Sequence, residues 1–206
     1  MKKKIWVLCL CMVLLTACSS GGILGSFNGN TYSNSKKGIT FKKPDDWSIL
    51  STEKLYTDIT AMNTAIGQTV DTNVEKSLDS LQVLRLFVIS KGGDASDAIE
   101  KYYPQFTCVV EKRTLASSET TEKVLKDYMV KMLALDDYSM QGEASIITVN
   151  GTNFYAATAK KVTSDATYYR TIYTIYKENG IITFDYTALD ENKDTLTTIL
   201  ETLTVK

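Results

Sequence analysis

The chain has no histidine among its 206 residues, and that absence closes off much of enzyme chemistry. Ser-His-Asp hydrolysis, Cys-His proteolysis, the HExxH metalloproteases and every histidine-held zinc or copper site are excluded at once. Cysteine is nearly as scarce. Of the four, Cys9, Cys11 and Cys18 fall in the first eighteen residues and Cys108 alone lies in the body of the chain. Its surroundings, Phe106-Thr107-Cys108-Val109-Val110, read as a short strand in which cysteine is a small buried hydrophobe. A catalytic thiol needs a base to make thiolate, and histidine is not there to supply it. Long basic runs are missing too. Lys36-Lys37 and Lys42-Lys43 are short solvated pairs, whereas nucleic-acid binding calls for a basic patch. There is no glycine-rich phosphate loop, since Lys91-Gly92-Gly93-Asp94 reads as a turn, and no Gly-x-Ser-x-Gly element. Nor does any apolar run reach the roughly 20 residues that cross a bilayer.

The apolar run that does exist is short and informative. Lys2, Lys3 and Lys4 precede an apolar stretch over 5–15, which ends in Leu15-Thr16-Ala17-Cys18 and breaks into Ser19-Ser20-Gly21-Gly22. A charged start, a short apolar segment and a small-residue cleavage site are the anatomy of a secretory signal. The closing tetrapeptide resembles a bacterial lipobox, in which the cysteine takes a diacylglycerol and cleavage falls just before it. A plain secretory signal is the rival, but it has no need of cysteine at that position. The expected product begins at Cys18, tethered by lipid to the membrane on its extracytoplasmic face, where each buried methylene contributes about 0.8 kcal/mol. Losing residues 1–17 removes three of the 23 basic residues and leaves 20 against 24 acidic ones, a formal balance of −4.

The organisation that follows is a leader over 1–17, a tether over 18–30 rich in Gly, Ser and Asn, and one domain over 31–206. Residues 38–42 suggest a strand ending at Pro44, with a turn through Asp45-Asp46-Trp47. Leu55, Ile59, Met62 and Ile66 recur at helical spacing, with Ser51 or Thr52 as N-cap and Gly67 as stop. The stretch 68–80 is polar and reads as a loop. Residues 81–90 are apolar on both alternating faces save Gln82 and Arg85, as a covered central strand would be. A short helix is expected from 94 or 96 to Tyr102, then a strand over 106–110 and an amphipathic helix over 119–135 carrying Leu125, Met129, Met132 and Leu133. Strands over 143–149, 153–162, 167–177 and 181–187 follow, with Asn150-Gly151 and Asn179-Gly180 as hairpin signals. A last helix over 191–203 sets Leu196, Ile199, Leu200 and Leu203 against the sheet. Grouped strands with helices before and after indicate an α+β fold built on an antiparallel sheet.

Gly38-Ile39-Thr40-Phe41-Lys42-Lys43-Pro44-Asp45-Asp46-Trp47 resembles the opening of PsbP-like α/β/α sandwich domains. The closing strand, Asp190-Glu191-Asn192 and terminal helix are similar to that family's ending, so the resemblance covers about residues 31–206. It implies an antiparallel β-sheet with helices packed on both faces, and a habit of binding rather than catalysis. Histidine-dependent metal sites of photosynthetic relatives cannot be carried onto this chain.

Three constellations remain. Asp190, Asn192, Asp194 and Glu201 fall at positions 1, 3, 5 and 12 of an EF-hand loop. Thr195 stands where the sharp turn wants glycine, and the leucine spacing asks for a continuous helix that would pull those oxygens apart. Acids at a helix start are accounted for by capping and the dipole. The pairs Asp45-Asp46 and Asp136-Asp137 are adjacent in turns, whereas glycoside hydrolysis needs carboxylates about 5–9.5 Å apart across a cleft. The third is aromatic. Among the rings over 154–186, Tyr169, Tyr173 and Tyr176 change parity along one strand, so rings fall on both sheet faces. The candidate binding surface is the face left partly open; coverage of both faces by helices would bury it. The expectation is a non-catalytic, lipid-anchored cell-envelope protein that binds an envelope protein, without cofactor or nucleic acid. The alternative is a small-molecule or calcium-binding accessory.

Overall fold

The computed structural model describes residues 22–92, 103–189 and 195–206. Two antiparallel sheets face each other. The small one runs β1(Ser26–Asn28), β2(Thr31–Asn34), β3(Ile39–Lys42) and β12(Thr204–Val205) in that spatial order. The large one has eight strands: β4(Trp47–Ile49), β5(Val83–Lys91), β6(Gln105–Lys112), β11(Gly180–Leu189), β10(Thr167–Lys177) and β9(Thr152–Val162). β7(Ser139–Met140) and β8(Ser145–Val149) then share the outer edge of β9.

The two sheets are joined by rings. Tyr32 and Phe41 from the small sheet meet Phe87 of β5 with centroids 4.7 and 4.8 Å apart, and Phe41 lies edge-on to Phe106 at 5.8 Å. Phe106 stacks on Phe184, which meets Phe154 edge-on. Offset and edge-to-face rings of this kind add to the area they bury. The strongly apolar stretch expected over 81–90 is β5, whose side chains from Val83 to Ser90 are buried on both faces except Arg85.

Helices flank the large sheet unevenly. α3(Thr121–Leu135), capped by the Thr120 hydroxyl accepting the Lys123 N–H at 3.3 Å, lays Met129 and Leu133 on Ala157, Ala159 and Ile172. Two alanines on β9 give the helix room to lie close. The opposite face of the large sheet is covered by the small sheet, a layer that the expected helix-on-both-faces arrangement does not contain. α4(Thr195–Leu200) packs on β3, and α1(Thr52–Ala65), capped by Ser51, runs beside β5 with the single-turn α2(Val74–Ser77) next to it.

β4 pairs with β5 only from Ile89 to Lys91, which leaves the start of β5 without a strand on that side. Asn63 of α1, fully buried, takes the place of one. Its Oδ1 accepts the Val83 N–H at 3.0 Å and its Nδ2 donates to the Val83 carbonyl at 2.7 Å. Both hairpin turns have two central residues in the left-handed region, as type I′ turns require. In the first these are Asn150 and Gly151. In the second they are Glu178 and Asn179, because Gly180 already pairs with Lys177.

Three expectations shift. The stretch 18–30 is not all tether: from Gly22 onward it belongs to the fold. Leu24 is buried, Phe27 lies 5.1 Å from Tyr32, and the Tyr32 hydroxyl donates to the Leu24 carbonyl at 2.6 Å. Its apolar residues outweigh its Gly-Ser composition. Residues 68–80 contain α2 and the buried Leu78, and the final helix stops at Leu200, with Thr204 and Val205 returning to pair with β3. The helix expected over 94–102 lies outside the described residues.

Candidate functional site

The N-terminal segment closes one end of the gap between the sheets. There, Ile23, Leu24 and Phe27 face Ile49, Leu50, Leu86 and Phe87 across a cavity of about 650 Å³, which lies in the size range of small-molecule sites. Polar groups are few: Ser26 of β1, Lys36 after β2, Ser51 and Thr52 at the start of α1, and Glu75 of α2. Tyr56 also lines the cavity, and burial, followed by the Glu75 carboxylate, raises its phenol above the ordinary value. Such a site can hold an apolar group and orient it by a few hydrogen bonds. Gly25 is required at its wall. With φ at +73°, a Cβ there would lie 2.6 Å from the Tyr32 hydroxyl and 2.7 Å from the Ser33 carbonyl.

A second polar constellation sits where α3 ends over β10 and β11. Arg170 is 8% exposed and meets Asp185 twice, Nε at 2.9–3.0 Å from both oxygens and a terminal nitrogen at 2.5 Å. Its other terminal nitrogen donates to Asp136 at 2.5 Å, and its carbon lies 5.5 Å from the Tyr138 ring centroid. Lys161 lies 5.8 Å from the same ring and donates to the Asp136 carbonyl at 3.0 Å. Burial works against the charged guanidinium, but Asp185 and Asp136 outweigh it and hold Arg170 above its usual value. Burial pushes the Tyr138 phenol up to about 12. The charges in this cluster are spent on one another. Its effect is to pin the end of α3 to two strands.

A third feature is a cleft of about 620 Å³ beside α3, lined by Glu111, Arg113, Glu119, Lys123 and Tyr128. Burial raises the half-buried Glu111 carboxyl, with Arg113 and a hydrogen bond from Tyr128 opposing it. Burial and then the Glu111 charge push the Tyr128 phenol up to about 12.

The residues singled out from the sequence are not brought together. By register, Tyr169 and Tyr173 point to the face shared with the small sheet and Tyr176 to the α3 face. Tyr173 is 7% exposed and part of the main core. Tyr176 packs near Ile181 and donates its hydroxyl to the Arg113 carbonyl at 2.9 Å. Tyr169 stays half-buried, with the Lys160 ammonium 5.9 Å from its centroid. Asp190, Asn192 and Asp194 lie outside the described residues, as does Cys18; Glu201 is exposed just after α4. Asp46 pairs with Lys91 at 3.4 Å and Asp45 accepts from Asn30, whereas Asp136 is drawn into the Arg170 cluster. Cys108 is fully buried, which drives its thiol well above the ordinary value. Ser51 and Lys54 form a helix cap, the serine hydroxyl accepting the lysine backbone N–H at 3.4 Å. Sequence reasoning missed Asn63 and the cavity wall at 22–27. The pair Leu24 and Phe27 was the available signal for the latter.

No protein-family model matches the chain, and no curated protein matches it. Among solved structures, one from Bacteroides thetaiotaomicron is similar at 10% identity and a TM-score of 0.46 over 87% of this chain and 49% of its own, so this chain spans about half its length. Cyanobacterial PsbP from Synechocystis sp. PCC 6803 is similar at 15% identity and a TM-score of 0.48, over 90% of this chain and 100% of that one. LpqN of Mycobacterium tuberculosis, involved in cell envelope biogenesis, is similar at 16% identity and a TM-score of 0.45, over 82% and 83%. These are likenesses of shape, and PsbP is the family whose opening residues 38–47 resemble.

Proposed function

We propose that the protein is a non-catalytic, lipid-anchored module on the extracytoplasmic face of the membrane that binds an envelope protein at the end of the sandwich nearest its anchor. The observation that carries this reading is a distance along the chain. Cys18, the lipid-accepting residue of the Leu15-Thr16-Ala17-Cys18 motif, precedes by four residues the glycine that begins the cavity wall. At about 3.5 Å per extended residue, the anchor holds that wall within about 14 Å of the lipid. Among the described residues no helix is long and apolar enough to cross a membrane.

Site-specific photo-crosslinking from position 49, in the cavity lining, tests the reading in native membranes. A discrete adduct with one membrane or envelope protein, lost in Cys18→Ser, is the expected result. No adduct from position 49, with the protein correctly anchored, would remove protein binding at this end. The second reading, a small-molecule accessory, is favoured by the cavity itself, and predicts that apolar probes bind there equally well in Cys18→Ser.

A further inference from the structure

Every edge of the two sheets but one is closed off within the described residues. β1 and β4 are three residues long, and β7 and β12 are two. The start of β5 is covered by Asn63. Short edges and covered edges are the usual protection against strand-to-strand association, along with charge, proline and bulges. β8 has none of these. It is five residues of Ser-Ile-Ile-Thr-Val, without charge or proline, and its register with β9 runs unbroken. Its outer edge meets no strand among the described residues, and Ile146 is 58% exposed.

The register fixes which backbone groups are on offer. Val149 and Thr152 flank a two-residue turn and so exchange hydrogen bonds. Val149, Ile147 and Ser145 therefore aim their N–H and C=O at β9, and Ile146 and Thr148 aim theirs outward. From this geometry we infer that β8 pairs antiparallel with β8 of a second copy of the chain about a two-fold axis at Ile147, joining the two large sheets into one. That register sets Ile146 opposite Thr148 of the second copy, and Thr148 opposite its Ile146. Each pair exchanges two hydrogen bonds, so all the outward groups of both residues are used. The strand is its own complement: every opposed residue is uncharged and most are β-branched, the pairing that pleated surfaces favour. Glu143 falls opposite Gly151 of the second copy, a position that carries no side chain. An isologous contact of this kind closes as a dimer and leaves no further edge to extend. It does not depend on whether Cys18 carries lipid.

Sedimentation of the detergent-solubilised full-length chain across a wide concentration range, with two variants, tests the pairing. The expected result is a reversible dimer. Ile146→Lys, at an exposed position, weakens it at least about tenfold by bringing two ammonium groups together across the axis, while leaving the melting temperature unchanged at concentrations too dilute for the dimer to form. Ile147→Cys forms a covalent dimer under a mild thiol oxidant. A non-hydrogen-bonded pair places the two Cα atoms about 4.5 Å apart, within the roughly 4.4–6.8 Å that a disulfide spans. Ile146→Cys, whose partner is threonine, does not. A chain that stays monomeric throughout, or a dimer indifferent to Ile146→Lys, overturns the inference. So does a dimer that Ile146→Lys weakens but Ile147→Cys fails to cross-link.

Discussion

At position 63 a single amide does for β5 what a neighbouring strand would do, serving the N–H and C=O of Val83 together. Replacing Asn63 with Ala leaves both buried groups without a partner, and each such group costs about 1–3 kcal/mol. Asn63→Ala is therefore expected to lose about 2 kcal/mol or more in urea denaturation, and Asn63→Asp, which cannot donate to the carbonyl, is not expected to recover it. A loss below half that value would mean water replaces the amide. Arg170 is a second such residue. Its removal strands Asp185, whose side chain is 13% exposed, and breaking a buried pair from one side costs about 3–5 kcal/mol. Arg170→Leu should show that loss. Arg170→Lys should recover only part of it, because an ammonium cannot reproduce the two-point contact. Neither residue stands out in the sequence, where a helical asparagine and a strand arginine look like surface positions. Their partners are backbone groups and acids that only the fold brings near.

The long antiparallel strands were legible one by one. Residues 145–149, 152–162, 167–177 and 180–189 fall within a few residues of the expected ranges, because type I′ turn residues punctuate alternating apolar segments. Helices α1 and α3 were legible through their apolar stripes, and α1 also through its hydroxyl cap. What escaped was every strand of two or three residues, since so short a segment has no period to detect. β1, β7 and β12 are of that kind, and with them went the small sheet as a layer. The same limit concealed the cavity, whose wall follows a Gly-Ser stretch. Gly25→Ala tests that wall: with no room for a Cβ, it should lower the melting temperature and free the segment at 22–28 for proteolysis. An unchanged cleavage pattern would show that the segment is held by something else. On β6, Glu111 is predicted to titrate against stability. Its carboxyl is raised in the fold by burial, so the native state binds the proton more tightly than the unfolded chain does. Stability from this group is present below the ordinary carboxyl value of 4.5 and declines as pH rises through the elevated one. Glu111→Gln should flatten that decline and leave the variant more stable than the parent at neutral pH. A Glu111→Gln curve that runs parallel to the parent's through the same window would contradict it.

On the scale of the whole molecule, the described residues form a two-sheet body, and the proposed function adds a lipid-anchoring leader to it. The body has a cavity walled by residues 22–27, a charge cluster whose members pair with one another and, among the described residues, one open sheet edge. The aromatic surface expected from Tyr169, Tyr173 and Tyr176 is divided between two faces and largely used in packing. Recognition is therefore argued from the anchored end of the sandwich and not from the tyrosines. The proposed recognition at that end rests on Cys18 as the anchor. The measurement that tests it most directly is the mass of the N-terminal peptide from protein purified out of its native membranes. The account predicts a peptide that begins at Cys18 and carries a thioether-linked diacylglycerol, with the protein released to the soluble fraction by Cys18→Ser. A peptide that retains residues 1–17, or one that begins at an unmodified Cys18 or further along, would contradict it.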